Sequence, residues 1–180
     1  KDGYSNPLKK FLYVAVRYPM EWLAQKKFDR MRMKHLVMTQ RCRNTTDLRK
    51  LKADVFMTGS DQVWGPVLTE PYDSNYFLNF VNDETRKMAY AASFGKTKFD
   101  ENIERAFRDY LLQYDHIAVR EDSAKRMLDS WGIHCDGQVL DPTLLLSKSD
   151  WESRFNCNPI EEKYILVYCP HNKKLVFDFV

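Results

Sequence analysis

The run after Gly59 carries an unusual density of chemistry: Ser60, Asp61 and Gln62 in succession, then Trp64. A turn or helix cap requires one residue of this kind, so the run reads as a binding or catalytic loop. A carboxylate such as Asp61 serves as general base toward a hydroxyl, and Ser60 and Gln62 are suited to hold neighbouring hydroxyls. Trp64 precedes Gly65-Pro66, which a helix accommodates poorly, so its indole is expected in a loop. There it is either a platform for the apolar face of a sugar or a lid packed on the domain. The second candidate is Arg120, which directly ends the apolar run Ile117-Ala118-Val119. On rigid backbone its forked donors suit a phosphate or carboxylate; an ion pair with Glu121 or Asp122 is the competing use.

Bringing such groups together requires a common edge. From Ala53 onward short apolar runs alternate with helical segments, the rhythm of a parallel sheet covered by helices. Strands are predicted at Asp54–Thr58, Lys87–Ala92, His116–Val119, Gly137–Leu140 and Tyr164–Cys169. Between them, Asp100 caps a helix over 101–114 whose Ile103, Phe107, Tyr110 and Leu111 share one face. Glu121 or Asp122 starts another that carries Ala124, Met127 and Leu128 and ends at Gly132. Ser149 and Glu152 stand at capping-box spacing before a third. Right-handed crossovers deliver every strand exit to the same edge, where ligands of open α/β sheets bind. Besides Gly59–Gln62, that edge receives Ser93 with Gly95, Arg120 with Glu121, Asp141 with Thr143, and His171 with Asn172. Ser93, Asp141 and Thr143 equally suit turns, and an Asp before Pro142 is explained by an Asx turn without any ligand.

The residues before this alternation are basic and helical. Over 19–38, Trp22, Leu23, Phe28, Met31, Leu36 and Met38 interleave with Lys and Arg in a roughly helical rhythm. An amphipathic helix packed on the domain is expected, with peripheral contact to a membrane surface as the alternative. A short second helix is predicted over 46–52, capped by Thr45 or Thr46.

Composition narrows the function. A chain of 180 residues with 44% hydrophobic and 14% aromatic content has material for an ordinary globular core. Its 28 Lys and Arg against 25 Asp and Glu give a net charge of only +3, too mild for a dedicated nucleic-acid binder. No apolar run approaches the ~20 residues of a membrane span. Cys42, Cys135, Cys157 and Cys169 have neither zinc-site spacing nor disulfide-scaffold density, so reduced thiols in a soluble, cytoplasmic setting are expected. His35, His116, His134 and His171 lack metal-ligand spacing, so no metal is expected. Neither G-x-G-x-x-G nor G-x-x-x-x-G-K occurs, which argues against dinucleotide and P-loop enzymes.

Read as an ordered set, Gly59-Ser60-Asp61-Gln62-Val63-Trp64, Tyr76-Phe77-Leu78, Tyr90-Ala91-Ala92-Ser93-Phe94-Gly95, Ala118-Val119-Arg120-Glu121 and Val139-Leu140-Asp141-Pro142-Thr143-Leu144-Leu145 resemble the polysaccharide pyruvyl transferase family over roughly residues 50 to 170. The resemblance implies two Rossmann-like halves in a GT-B-like arrangement, with a cleft between them. It implies transfer of a pyruvyl group from phosphoenolpyruvate to a sugar or lipid-linked glycan as a ketal, in cell-surface polysaccharide biosynthesis and without a cofactor. On that reading Asp61 is the base or a ligand of the acceptor hydroxyl, Arg120 the donor's anion ligand, and Ser60, Gln62, Trp64 and Ser93 further substrate contacts. The general acid would come from the second half.

Family members are about twice as long, with a first strand upstream of the position of Lys1, and many carry Asn where Gly65 stands. The expected organisation is therefore a helical lead-in over 1–52, a Rossmann-like domain over 53–160 and the start of a second domain over 161–180. Alone, such a chain is expected to show no pyruvyl transfer and to self-associate through exposed sheet edges. Two other classes fit the same edge: a GT-B-like glycosyltransferase using a nucleotide sugar, and a non-catalytic carbohydrate-binding fragment.

Overall fold

A computed structural model describes residues 7–66, 70–154, 160 and 162–166, the side chains of 7–14 and 16 apart. The chain divides into two compact units, Lys1–Leu51 and Lys52–Val180. The first contains α1 (Pro7–His35), which starts well before the expected Pro19 and takes that proline inside the helix, where one backbone donor is lost. Its apolar residues are spread around the helix rather than gathered on one face, which corrects the amphipathic expectation. Trp22, Leu23, Phe28 and Met31 are each about half exposed. Pairs on the helix's own surface support it, among them Arg17 with Glu21, and Lys26, whose Nζ lies 3.6 Å from the centre of the Trp22 ring. The short α2 (Thr45–Leu48) is capped by Asn44 rather than by a threonine, its side chain accepting the Asp47 N–H at 2.9 Å. Among the described residues no helix is long and apolar enough to cross a membrane.

The second unit is an α/β domain built on a four-stranded, all-parallel sheet in the order β1 (Val55–Thr58), β2 (Arg86–Ala92), β3 (His116–Val119), β4 (Gly137–Gln138). This is the expected Rossmann-like class. Helix α3 (Glu101–Leu111) links β2 to β3, and α4 (Asp122–Ser130) links β3 to β4. Phe107, Leu111, Ala124 and Leu128 are buried, as their spacing predicts. Among the described residues of the β1–β2 connection there is a 3₁₀ turn at Ser74–Phe77 and no α-helix, and Phe77 inserts into the core. There Phe107 meets Phe77 at 4.7 Å and Phe94 at 5.7 Å between ring centroids, each such pair worth about 0.5–1.5 kcal/mol beyond its burial.

Two further expectations change. The capping box before α5 (Lys148–Arg154) is formed by Ser147 and Asp150, not Ser149 and Glu152: the Asp150 carboxylate accepts the Ser147 N–H at 2.9 Å, and Ser147 Oγ accepts the Asp150 N–H at 3.2 Å. The fifth strand is absent at 164–166, and the rest of that segment, with His171 and Asn172, lies outside the described residues.

The amino-terminal edge of the sheet is pinned by Asp136. Its Oδ2 accepts the Ile117 N–H at 2.6 Å and its Oδ1 stands 3.2 Å from His116 Nδ1. The bond to His116, helped by the Ile117 N–H, holds this carboxyl below its usual range. A carboxylate depressed on folding contributes stability above its unfolded value of about 3.9 and loses it as the pH falls through the lower folded value. Asp136→Ala is expected to cost about 1 kcal/mol at neutral pH, the scale of one modestly screened hydrogen bond. Thermal melts should show this difference narrowing as the pH falls below that unfolded value of about 3.9. A difference that does not change with pH would contradict a contribution from the charged carboxylate.

Candidate active site

All four strands end on one edge, and the backbone there zips neighbouring exits together. Asp61 O accepts the Ser93 N–H at 2.9 Å, Trp64 N donates to Ser93 O at 3.1 Å, and Arg120 N donates to Ala92 O at 3.1 Å. The register of β2 shifts between Ala89 and Ala92. Ala91 at φ 51° and Asp61 at φ 77° both lie in the left-handed region, one on each side of the Asp61–Ala92 bridge. Such irregularities carry backbone strain and re-aim side chains near functional sites. Gly59, at φ 118°, makes the turn feasible, since a Cβ there would stand 2.0 Å from Tyr90 O.

This frame converges on Arg120. Its Nε donates to Glu121 Oε1 at 2.8 Å, its Nη1 to Asp141 Oδ2 at 3.3 Å and its Nη2 to Asp61 Oδ1 at 3.2 Å. One guanidinium thus ties together three carboxylates from the exits of β1, β3 and β4, leaving two surplus negative charges. Asp141 is held below the usual carboxylate range, first by the Thr143 N–H and hydroxyl and then by Arg120 and Ser60. Asp61 remains 76% exposed, its carboxylate open toward solvent while anchored on one side. An anion at Arg120 would face these carboxylates, each opposing a unit charge 4 Å away by roughly 4 kcal/mol at an effective dielectric of 20.

Two clefts flank the cluster. One, of about 290 Å³, is lined by Arg120, Gln138, Val139, Leu140, Asp141 and Leu144. The other, of about 250 Å³, lies among Gln62, Ser93, Gly95, Lys96, Thr97 and Glu121. Arg120 lines the first and its partner Glu121 the second, so the ion-pair cluster connects them. The family model for polysaccharide pyruvyl transferase matches residues 3–179. The chain belongs to this family. The match takes in the basic helical lead-in as well as the motif-bearing residues 50 to 170. No curated protein and no solved structure matches the chain.

Within this pyruvyl transferase family member, the sequence-derived site residues divide into two groups. Ser60, Asp61 and Arg120 come together, and Gln62 and Ser93 line the neighbouring cleft. Trp64 stands apart: it is fully buried, stacked on Phe77 at 5.7 Å and tilted against Phe94 at 5.0 Å. Its ring faces are taken by the core, so this packing offers no platform to a sugar and corresponds to the lid alternative. Glu121 and Asp141 were expected as an ion-pair partner and a turn former, and the structure adds both to the cluster. Leu140, Leu144 and Gln138 entered no expectation as site residues, because an exposed leucine after a strand has no chemical signature of its own.

Gly95 controls the second cleft. It has φ 64°, and a Cβ on it would lie 2.7 Å from Gln62 Oε1. Gly95→Ala is expected to lower stability by about 1–2 kcal/mol through the left-handed backbone, plus a share from displacing Gln62. Chemical denaturation of Gly95→Ala and of Gly95→Ala combined with Gln62→Ala would separate the two. The double variant should recover only the overlap share, and complete recovery would remove the backbone argument.

Proposed function

We propose that this site transfers the pyruvyl group of phosphoenolpyruvate to two hydroxyls of a sugar or glycan acceptor, forming a ketal. The observation that carries the reading is the single guanidinium holding carboxylates from three strand exits, with Asp61 left open to solvent. In the reaction two hydroxyl oxygens form bonds to the central carbon of the enol phosphate and the carbon–oxygen bond to phosphate breaks. One hydroxyl proton's equivalent ends on the methylene carbon, making it methyl, and the other leaves with phosphate, so no oxidant or water is needed.

Asp61 is the base that takes a hydroxyl proton, a role worth typically 10²–10⁴-fold. Arg120 is a positioning residue: it fixes Asp61 and Asp141 while offsetting part of their mutual repulsion. The cleft of Leu140, Leu144, Gln138 and Asp141 combines apolar surface with hydrogen-bonding groups, as sugar recognition requires, and takes the acceptor. Supplying phosphoenolpyruvate and candidate glycans to the protein that carries these 180 residues, and analysing the glycan for a carboxyethylidene ketal, tests the reading. Phosphate release without ketal would contradict it.

A further inference from the structure

Resting on that reading, we propose that the cleft beside the carboxylate cluster is the phosphate subsite for the donor, with Lys96 as its cation and the Ser93 and Thr97 hydroxyls as further donors. The acidic cluster itself is a poor place for an anion, since Arg120 already has a carboxylate on each of its three nitrogens. The adjoining cleft has the opposite character. Lys96 lines it and, among the described residues, forms no ion pair, so its charge is available to a ligand. Ser93 is 2% exposed, and its Oγ accepts the Gly95 N–H at 3.1 Å, which leaves the hydroxyl hydrogen for another acceptor. The acidic lining residue, Glu121, is turned to Arg120, whose Nε it binds at 2.8 Å.

Size agrees with charge. At about 250 Å³ the cleft falls below the ~300–1,000 Å³ typical of pockets for drug-sized ligands, which suits a phosphate on a three-carbon acid better than a nucleotide. The position agrees too. Gln62 follows Asp61 directly and lines this cleft, so a phosphate bound at Lys96 places the rest of a short donor next to the proposed base.

The ligand chemistry is thus a phosphate monoester dianion, and its sources are distinguished by titrating phosphoenolpyruvate, inorganic phosphate and uridine diphosphate separately. Wild type, Lys96→Ala and Lys96→Glu are compared by calorimetry, after melting curves establish that both variants fold, as expected for an exposed side chain. Phosphoenolpyruvate and phosphate should bind wild type, with Kd raised about tenfold or more by Lys96→Ala, the scale of a charge-assisted hydrogen bond, and further by Lys96→Glu. Asp61→Asn should leave both affinities within about twofold of wild type. Equal affinities across the Lys96 series would overturn the subsite, as would preference for uridine diphosphate or the absence of binding by all three ligands. Ketal formation in the presence of equal affinities would sink the subsite while leaving pyruvyl transfer standing. Lys96-dependent phosphate binding without any ketal would uphold the subsite and sink the transfer.

Discussion

Asp61→Asn is expected to lower turnover by about 10² or more, the effect of losing a general base, while the protein remains folded. The variant is chosen for its backbone. Asp61 sits at φ 77°, and Asn, like Asp, tolerates the left-handed region better than most residues. The bridge to Ala92 and the bond from Ser93 use only main-chain atoms of residue 61, so they survive the change. The carboxamide still presents an oxygen to Arg120 but no longer takes a proton. If Asp61 served only to shape the turn, the variant would cost about 1 kcal/mol of stability at most and spare the rate. Steady-state kinetics beside a melting curve separates these outcomes, and near-normal turnover would return Asp61 to a structural role.

Arg120→Ala should reduce turnover by about 10²-fold, because displacing a catalytic group by 1 Å is enough for such a loss. The change also leaves Asp61, Glu121 and Asp141 without their shared cation. Arg120→Lys should rescue only partly, since an ammonium keeps the charge but cannot hold three carboxylates in the guanidinium plane. These responses should come with little change in the KM for phosphoenolpyruvate. A direct anion ligand predicts the reverse: donor affinity weaker by about 1.5–3 kcal/mol. A rise of that size in donor KM would restore Arg120 to the ligand role expected from its forked donors.

The strands, the two long crossover helices and the shared edge were legible because each rests on local periodicity that tertiary packing reinforces. Phe107 and Leu111 on α3, and Ala124 and Leu128 on α4, are spaced to face a core, and they do. Trp64 was ambiguous for a physical reason: Gly65-Pro66 correctly places it outside a helix, but nothing local says that Phe77 and Phe94 close over it. Arg120 was equally open, because its two uses differ only in what lies across space. The sequence suggested its neighbours Glu121 and Asp122 as partners. The partners from afar, Asp61 and Asp141, emerge only once β1 and β4 are placed in the sheet. Lys96 carried no signal at all, since a lysine after a strand resembles any exposed lysine until a cleft forms around it.

The most direct measurement of the central claim follows both products of one reaction by nuclear magnetic resonance, with phosphoenolpyruvate and an acceptor glycan supplied to the protein that carries this chain and to its Asp61→Asn variant. Pyruvyl transfer at this site predicts inorganic phosphate and a new ketal methyl signal on the glycan in equal amounts, both slowed about 10² or more by the substitution. Ketal formation at the same rate in both proteins would place the chemistry elsewhere. Glycan elongation from a nucleotide sugar, with phosphoenolpyruvate left intact, would contradict the assigned reaction.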